Sequence, residues 1–368
     1  MARKVAGAEE KVKKEKKSDM DYFKLVRDGL SDYVQMSEME DVRVVPTLLT
    51  GYNRATGRGG HPLGRMMLIH GPNQVGKSGL ALTILESLAR AGFPCQNLDS
   101  EFAAEKRWYS HLCTTPGILD KPVGDLDEVV SDIGMVLANV EKAQREKKMP
   151  KEIGAAFVVD TLTKLMPKDI LDQIKKEGID KMYPIQALHI STWMKVVIPM
   201  LGRTNSTLVI VAQERTNMDK KGMFDRNWKI TMGNALQYDN CLRVRVTGSE
   251  KVKEKDHIIG MQCNCEVQNN KIDGTTYSSF SFFTSNGSGD CPIGLDLVME
   301  AAEEAKERGW LKYSKGDGCV LEIPGEGGET LGKNMPDAIS NLRANEHYFE
   351  TLVTQLNLTS EREAKVEA

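Results

Sequence analysis

The segment MMLIHGPNQVGKSGLAL, residues 66–82, constrains the fold more than any other stretch of this chain. An apolar run enters a glycine-rich turn that ends in Gly76, Lys77 and Ser78, and a helix-competent run follows. Glycines at positions 71 and 76 let backbone N–H groups turn inward, the arrangement that cradles phosphate oxygens. A lysine directly after the second glycine can reach β- and γ-phosphates, and the hydroxyl after it can ligate Mg²⁺. The first turn of the helix adds the positive end of its dipole. The cradle residues are then Gly71, Pro72, Asn73, Gln74, Val75, Gly76, Lys77, Ser78 and Gly79.

Such a cradle needs a strand before it and a helix after it. Residues 65–70 have strand length and apolar character, and residues 77–90 fit a helix. It also needs a second apolar strand with a terminal acid to hold the water shell of the metal. Ala155-Ala156-Phe157-Val158-Val159-Asp160 has that form, so Ser78 and Asp160 are the expected Mg²⁺ positions.

Further apolar strands are expected at 94–100 and 207–213, separated by helices near 125–147 and 187–201. This alternation predicts an α/β fold with a mostly parallel, twisted sheet. The β-rich runs 241–247, 260–269 and 277–284 follow, with polar turns such as 251–256 between them, and predict an antiparallel extension of the same sheet. Beyond Pro292 the pattern is helical at 294–308, glycine-rich and charged at 315–329, and helical again at 336–356. A small α+β C-terminal domain is expected there, giving three parts: 1–40, 41–290 and 291–368.

Composition excludes several classes. With 368 residues, 40% hydrophobic, the chain is long enough for one large core and a smaller appendage. No apolar run approaches the roughly 18–20 residues of a membrane span. The N-terminus mixes Arg3, Lys4, Lys11, Lys13, Lys14, Lys16 and Lys17 with Glu9, Glu10 and Glu15, and it reads as a solvated basic tail or helix. Seven cysteines without C-x-x-C pairs read as reduced thiols, and Cys263 and Cys265 as packing residues on one strand face. A formal charge of −3 argues against a generally basic coat, so any nucleic-acid contact is local.

Several further motifs occur in one order. Thr50-Gly51-Tyr52 and Gly59-Gly60-His61-Pro62-Leu63-Gly64-Arg65 precede the glycine-rich loop. Asp99-Ser100-Glu101-Phe102, Val158-Val159-Asp160-Thr161 and Val209-Ile210-Val211-Ala212-Gln213 follow on successive strands. Met232-Gly233-Asn234-Ala235-Leu236, Val267-Gln268-Asn269-Asn270-Lys271-Ile272, and residues 294–309 with Trp310, Tyr313 and Lys315 complete the set. In this order they resemble the RecA-type recombinases of bacteria and their phages over most of the chain.

The resemblance implies a RecA-like P-loop ATPase core that uses ATP and Mg²⁺. Glu101 matches the catalytic glutamate, whose carboxylate polarises the attacking water. Gln213 matches the glutamine that senses the γ-phosphate, because an amide can donate to it and accept elsewhere. Lys77 joins them as a catalytic residue, and Lys271 is matched to a lysine that acts across the subunit interface. Trp108, or its neighbour Tyr109, falls where the family places an aromatic on adenine, with core packing as the alternative. Residues 214–232 match a DNA-binding loop in which Arg215, Lys220, Lys221, Arg226 and Lys229 can meet phosphates. Met223, Phe224, Trp228 and Ile230 offer apolar faces to bases or to a neighbouring subunit, and Gly233 and Asn234 follow the loop. A second loop, 167–184, with Lys168, Lys175, Lys176 and Lys181, can either contact DNA or form an amphipathic helix with a solvated face.

The implied partners are single-stranded and double-stranded DNA, further copies of the chain in a helical filament, and single-strand-binding and mediator proteins, with no membrane. The expected location is the cytoplasm of a bacterium or of a phage-infected host. The segment 22–34, with Tyr22, Phe23, Leu25, Val26, Leu30, Tyr33 and Val34 as apolar positions, can serve the polymer interface or pack on its own core. Two alternatives share the core motifs: a RecA-core helicase motor, and a nucleotide-regulated mediator without catalysis. Asn73-Gln74-Val75 departs from the small and acidic residues common in bacterial members. Asn269 stands where a second trans-acting lysine is often found, which implies slower hydrolysis. The last residues, 361–368, mix charge signs rather than forming an acidic run.

Overall fold

Met66–Gly71 is buried at every residue, which a strand satisfies only inside a sheet covered on both faces. The computed structural model describes residues 41–102, 106–177, 185–216, 228–230, 233–254, 256–274, 276–288 and 291–366. The elements below belong to one unit, Val42–Ala368. The segment 22–34 lies outside the described residues.

In chain order the elements begin with β1 (Val44–Val45), α1 (Thr50–Ala55), β2 (His61–Pro62), β3 (Met66–Gly71), α2 (Lys77–Arg90) and β4 (Cys95–Asp99). Next come α3 (Lys106–Leu112), β5 (Leu119–Pro122), α4 (Leu126–Arg145), β6 (Ala156–Asp160), α5 (Lys168–Glu177) and α6 (Ile185–Thr204). They continue with β7 (Thr207–Thr216), β8 (Trp228–Ile230), α7 (Gly233–Asp239), β9 (Leu242–Glu254), β10 (His257–Asn270), β11 (Ser279–Asn286) and β12 (Ile293–Leu295). The chain closes with α8 (Leu297–Glu307), β13 (Leu311–Ser314), β14 (Gly318–Ile323), β15 (Gly327–Gly332), α9 (Met335–Ala344) and α10 (Glu346–Val366).

Among the described residues, the main sheet runs β12-β11-β10-β9-β3-β7-β6-β4-β5, with β8 paired to β7. Strand alternation divides its side chains between two cores. Met67, Ile69, Val158, Val209 and Val211 face α2, whose Leu80, Ala81, Ile84, Leu85 and Leu88 cover them. Met66, Leu68, Phe157, Val159, Leu208 and Ile210 face the other way, against α4 and α6. In α4 the buried positions Leu126, Val129, Ile133, Leu137 and Val140 recur at helical spacing. Asp125 caps its start by accepting from the Glu128 N–H. Each large aliphatic buried in this way contributes roughly 1.5–3 kcal/mol.

The antiparallel extension expected from the sequence is present, with one change. Strand β9 runs parallel to β3, Leu68 opposite Arg243 and Ile69 opposite Val244, so the antiparallel part begins at the β9/β10 pair. Residues 251–254, expected in a turn, instead extend β9 as part of a long hairpin. The glycine-rich stretch 315–329 carries β14 and the first half of β15 in the three-stranded sheet β13-β14-β15. Positive φ falls at Gly325 in the turn and at Gly318 and Gly327, the first residues of β14 and β15, and Cys319, Leu321 and Ile323 are buried. The expected helix 336–356 is two helices, broken at Asn345, whose side chain accepts from the Tyr348 N–H to start the second.

Helices α8 to α10 and this small sheet enclose a third core that includes Ala301, Ala305, Leu321, Leu342, Leu352 and Leu356. It is tied to α1 by polar bonds. Glu300 accepts from the Gly51 N–H at 2.8 Å and from the Thr50 hydroxyl at 2.9 Å, while Arg54 donates to Glu304 at 2.6 Å. All seven cysteines are free thiols.

Candidate functional site

Parallel strands place the ends that matter on one edge of the sheet. Gly71 at the end of β3 lies opposite Gln213 of β7, and Asp99 of β4 lies opposite Asp160 of β6. The glycine-rich loop leaves β3 at that edge. At Gly71 a Cβ would stand 2.3 Å from the Val246 carbonyl oxygen. At Gly76 the backbone has φ +98° and a Cβ would stand 2.6 Å from Cys263 Sγ. Only glycine meets both demands at 76. Helix α2 begins there with no side-chain cap, so its first-turn N–H groups point into the loop without an acceptor from a capping residue.

Lys77 is nearly buried, and its ammonium donates to the Pro72 carbonyl across the loop. Burial lowers its pKa, against the pull of Asp160, Glu101 and Glu214, whose carboxylates favour the charged form. Ser78 is exposed and hydrogen-bonds to Asp160. Burial pushes the Asp160 carboxyl up to about 6, and the Ser78 bond works in the opposite direction. A hydroxyl and a carboxylate in contact beside an open loop are hard oxygen donors of the kind Mg²⁺ takes. Asn73 and Gln74 are exposed on the loop, and Val75 is buried beneath it.

Glu101 follows β4 on a short turn in which Asp99 accepts from the Glu101 N–H at 2.8 Å. One oxygen of its carboxylate, Oε1, receives two donors: Gln213 Nε2 at 2.6 Å and Lys164 Nζ at 3.1 Å. The structure thus brings Lys77, Ser78, Glu101, Asp160 and Gln213 to one sheet edge. Lys164 carries no motif in the sequence. It stands four positions after Asp160, and the 3₁₀ turn Leu162–Lys164 turns it back towards Glu101; no sequence pattern marks that turn. Tyr109 donates to Asp99 at 3.3 Å from inside this region, whereas its neighbour Trp108 is exposed.

The expected DNA-contacting residues divide by position. Lys220, Lys221, Met223, Phe224 and Arg226 lie outside the described residues. Arg215 and Lys229 face each other across the β7/β8 pair, which forms the stem of that loop. Gly233 and Asn234 open α7. Trp228 is half-buried, with Arg245 4.7 Å above its ring and the His70 ring 5.1 Å away. In the other loop, Lys168–Glu177 is helical, with Lys175 and Lys176 exposed; residue 181 lies outside the described residues. Lys271 donates to the Tyr238 carbonyl, and Asn269 donates to Asn240 Oδ1 at 3.1 Å. Among the described residues, no helix is long and apolar enough to cross a membrane.

A doubly covered parallel sheet, with a glycine-rich strand-to-helix turn at its centre and acids on the neighbouring strand ends, defines a RecA-like α/β core. The RecA N-terminal domain family matches residues 28–287. The chain belongs to the RecA family. It is similar to Protein RecA of Bordetella avium (strain 197N), 26% identical over 276 residues, covering 74% of this chain and 73% of that one. It is also similar to the mitochondrial DNA repair protein recA homolog of Dictyostelium discoideum, 30% identical over 278 residues, covering 75% of this chain and 58% of that protein.

Proposed function

We propose that the protein is a DNA-dependent ATPase that assembles into filaments on single-stranded DNA and promotes homologous pairing and strand exchange in recombination and repair. The observation that carries this reading is the bond from Gln213 to Glu101. It links the acid placed to align water with the strand that leads directly into the segment 217–227. Family membership supports the recombination setting, and the donor set at the sheet edge supports ATP as substrate.

In this reading the N–H groups of the loop and of the first turn of α2 hold the phosphates, and Lys77 leaves Pro72 to reach the terminal ones. Ser78 and Asp160 would hold Mg²⁺, which when bound offsets phosphate charge and orients the terminal group. Glu101 aligns the attacking water, and Gln213 exchanges Glu101 for the γ-phosphate. That exchange changes what the stem of the DNA loop is tied to, so nucleotide state biases DNA affinity. Lys271 acts on a neighbouring subunit, and base pairing rather than side chains supplies sequence specificity. The chain divides into 1–40, 41–290 and 291–368, the filament lies in the cytoplasm of a bacterium or infected host, and single-strand-binding and mediator proteins attend it.

Steady-state ATP hydrolysis with and without single-stranded DNA tests the reading. Stimulation by DNA that is lost both in Glu101→Gln and in the triple variant Lys220→Ala, Lys221→Ala, Arg226→Ala is expected. Turnover without any response to DNA would overturn it.

A further inference from the structure

Glu214 is a charged residue with 4% side-chain exposure, placed one residue after Gln213. Burying a lone carboxylate costs several kcal/mol, so its partners matter. Arg245 of β9 grips it in a fork, Nε to Oε1 at 2.7 Å and Nη2 to Oε2 at 3.0 Å. His70 of β3, with no side-chain exposure, meets the same Oε1 through Nδ1 at 2.8 Å. Burial lowers the His70 pKa, so this contact is a neutral N–H donating to a carboxylate rather than an ion pair. His70 and Arg245 bonds hold the Glu214 carboxyl below its ordinary range, although burial pulls the other way. Trp228 covers the group, with Arg245 over its ring and His70 against it.

The sequence positions of these four residues are informative. His70 directly precedes Gly71, where the glycine-rich loop begins. Glu214 and Trp228 stand on the two sides of the segment 217–227, in the three-pair stem Glu214–Ile230, Arg215–Lys229 and Thr216–Trp228. A two-stranded stem this short has little stability of its own. His70 and Arg245 are neighbours in the β3/β9 register, so the stem is pinned to the strand that feeds the loop. An apolar cluster would fill the same space without a desolvation cost. A bidentate, planar arginine–carboxylate contact instead fixes direction and register.

We propose that His70, Glu214, Arg245 and Trp228 form a positioning clamp that couples the nucleotide loop to the DNA loop, a second route beside Gln213. The clamp rests on the DNA-dependent ATPase reading given above. It predicts that loosening the fork lowers the coupling between the two ligands without removing either site. Coupling between binding sites is reciprocal, so it can be read without turnover.

The test uses the full chain with Glu214→Gln, Arg245→Met and Arg245→Lys. Single-stranded DNA affinity is measured with and without a non-hydrolysable ATP analogue, and affinity for a fluorescent form of that analogue with and without DNA. In the wild type the two ratios should agree. In Arg245→Met both should fall about tenfold while analogue affinity in the absence of DNA changes less than about threefold. Glu214→Gln, which keeps shape and one acceptor, and Arg245→Lys, which keeps charge but loses the fork, should fall between. Unchanged ratios in the three variants, against a coupled wild type, would overturn the clamp and leave the ATPase reading intact. A wild type whose DNA affinity ignores the analogue would overturn the ATPase reading, and the clamp with it.

Discussion

Gln213 donates to Glu101 across 2.6 Å, and Lys164 approaches the same carboxylate oxygen at 3.1 Å from the opposite side of the chain order. Glu101 Oε1, on the acid proposed above to align water, is therefore already occupied by two donors. Under the proposed function, nucleotide and DNA binding are expected to release that oxygen.

Glu101→Gln keeps an acceptor oxygen for Gln213 and Lys164, so the local geometry survives while the ability to polarise water does not. Turnover should fall by about a hundredfold or more, with ATP affinity changed only a few-fold. Rapid-quench hydrolysis together with equilibrium nucleotide binding separates the two quantities. An equal loss in both would place Glu101 in binding instead.

Lys164 is about half exposed, at 49%, so its pair with Glu101 is screened. Screened pairs contribute at most about 1 kcal/mol, equivalent to roughly fivefold in an equilibrium. Lys164→Met should therefore raise hydrolysis in the absence of DNA by about twofold to fivefold and leave the DNA-stimulated rate nearly unchanged. A drop in both rates would mean that Lys164 supports the phosphates directly.

Asn269 is held by Asn240 rather than offering a charge. Asn269→Lys adds a cation beside Lys271 on a surface proposed to face the neighbouring subunit. Single-turnover hydrolysis in the assembled filament should rise about tenfold. A rise below about twofold would count against the expectation that a missing cation at this position slows hydrolysis.

His61 is fully buried between the Tyr52 hydroxyl at 2.9 Å and the Thr207 hydroxyl at 2.8 Å, and burial lowers its pKa from 6.5 to about 3. The native state then binds fewer protons than the unfolded chain across this range. The stability contribution is intact above pH 6.5 and is lost as pH falls towards 3. Between pH 7 and pH 5 the protein should lose about 2 kcal/mol through this group. Urea unfolding at both pH values checks it, with His61→Asn expected to show a smaller difference.

The sequence by itself determined the parts that depend on local chemistry. Gly71, Gly76, Lys77 and Ser78 announce their turn because only those residue types allow the backbone and the charge it needs. The runs ahead of Asp160 and Gln213 announce buried strands because every residue of 155–159 and 208–212 is apolar. In the stretch 315–329 the strands β14 and β15 are short and each begins with glycine, so no period marks them within the expected α+β domain. Tertiary structure alone decided that β9 joins β3 in parallel, that Lys164 turns back on Glu101, and that Glu214 is buried against His70 and Arg245. Those contacts join residues about 30 to 144 positions apart for Glu214, and 63 apart for Lys164. A charged residue in a sequence reads as solvated until its partners are known, because desolvation and pairing are properties of the assembled sheet edge and not of any segment.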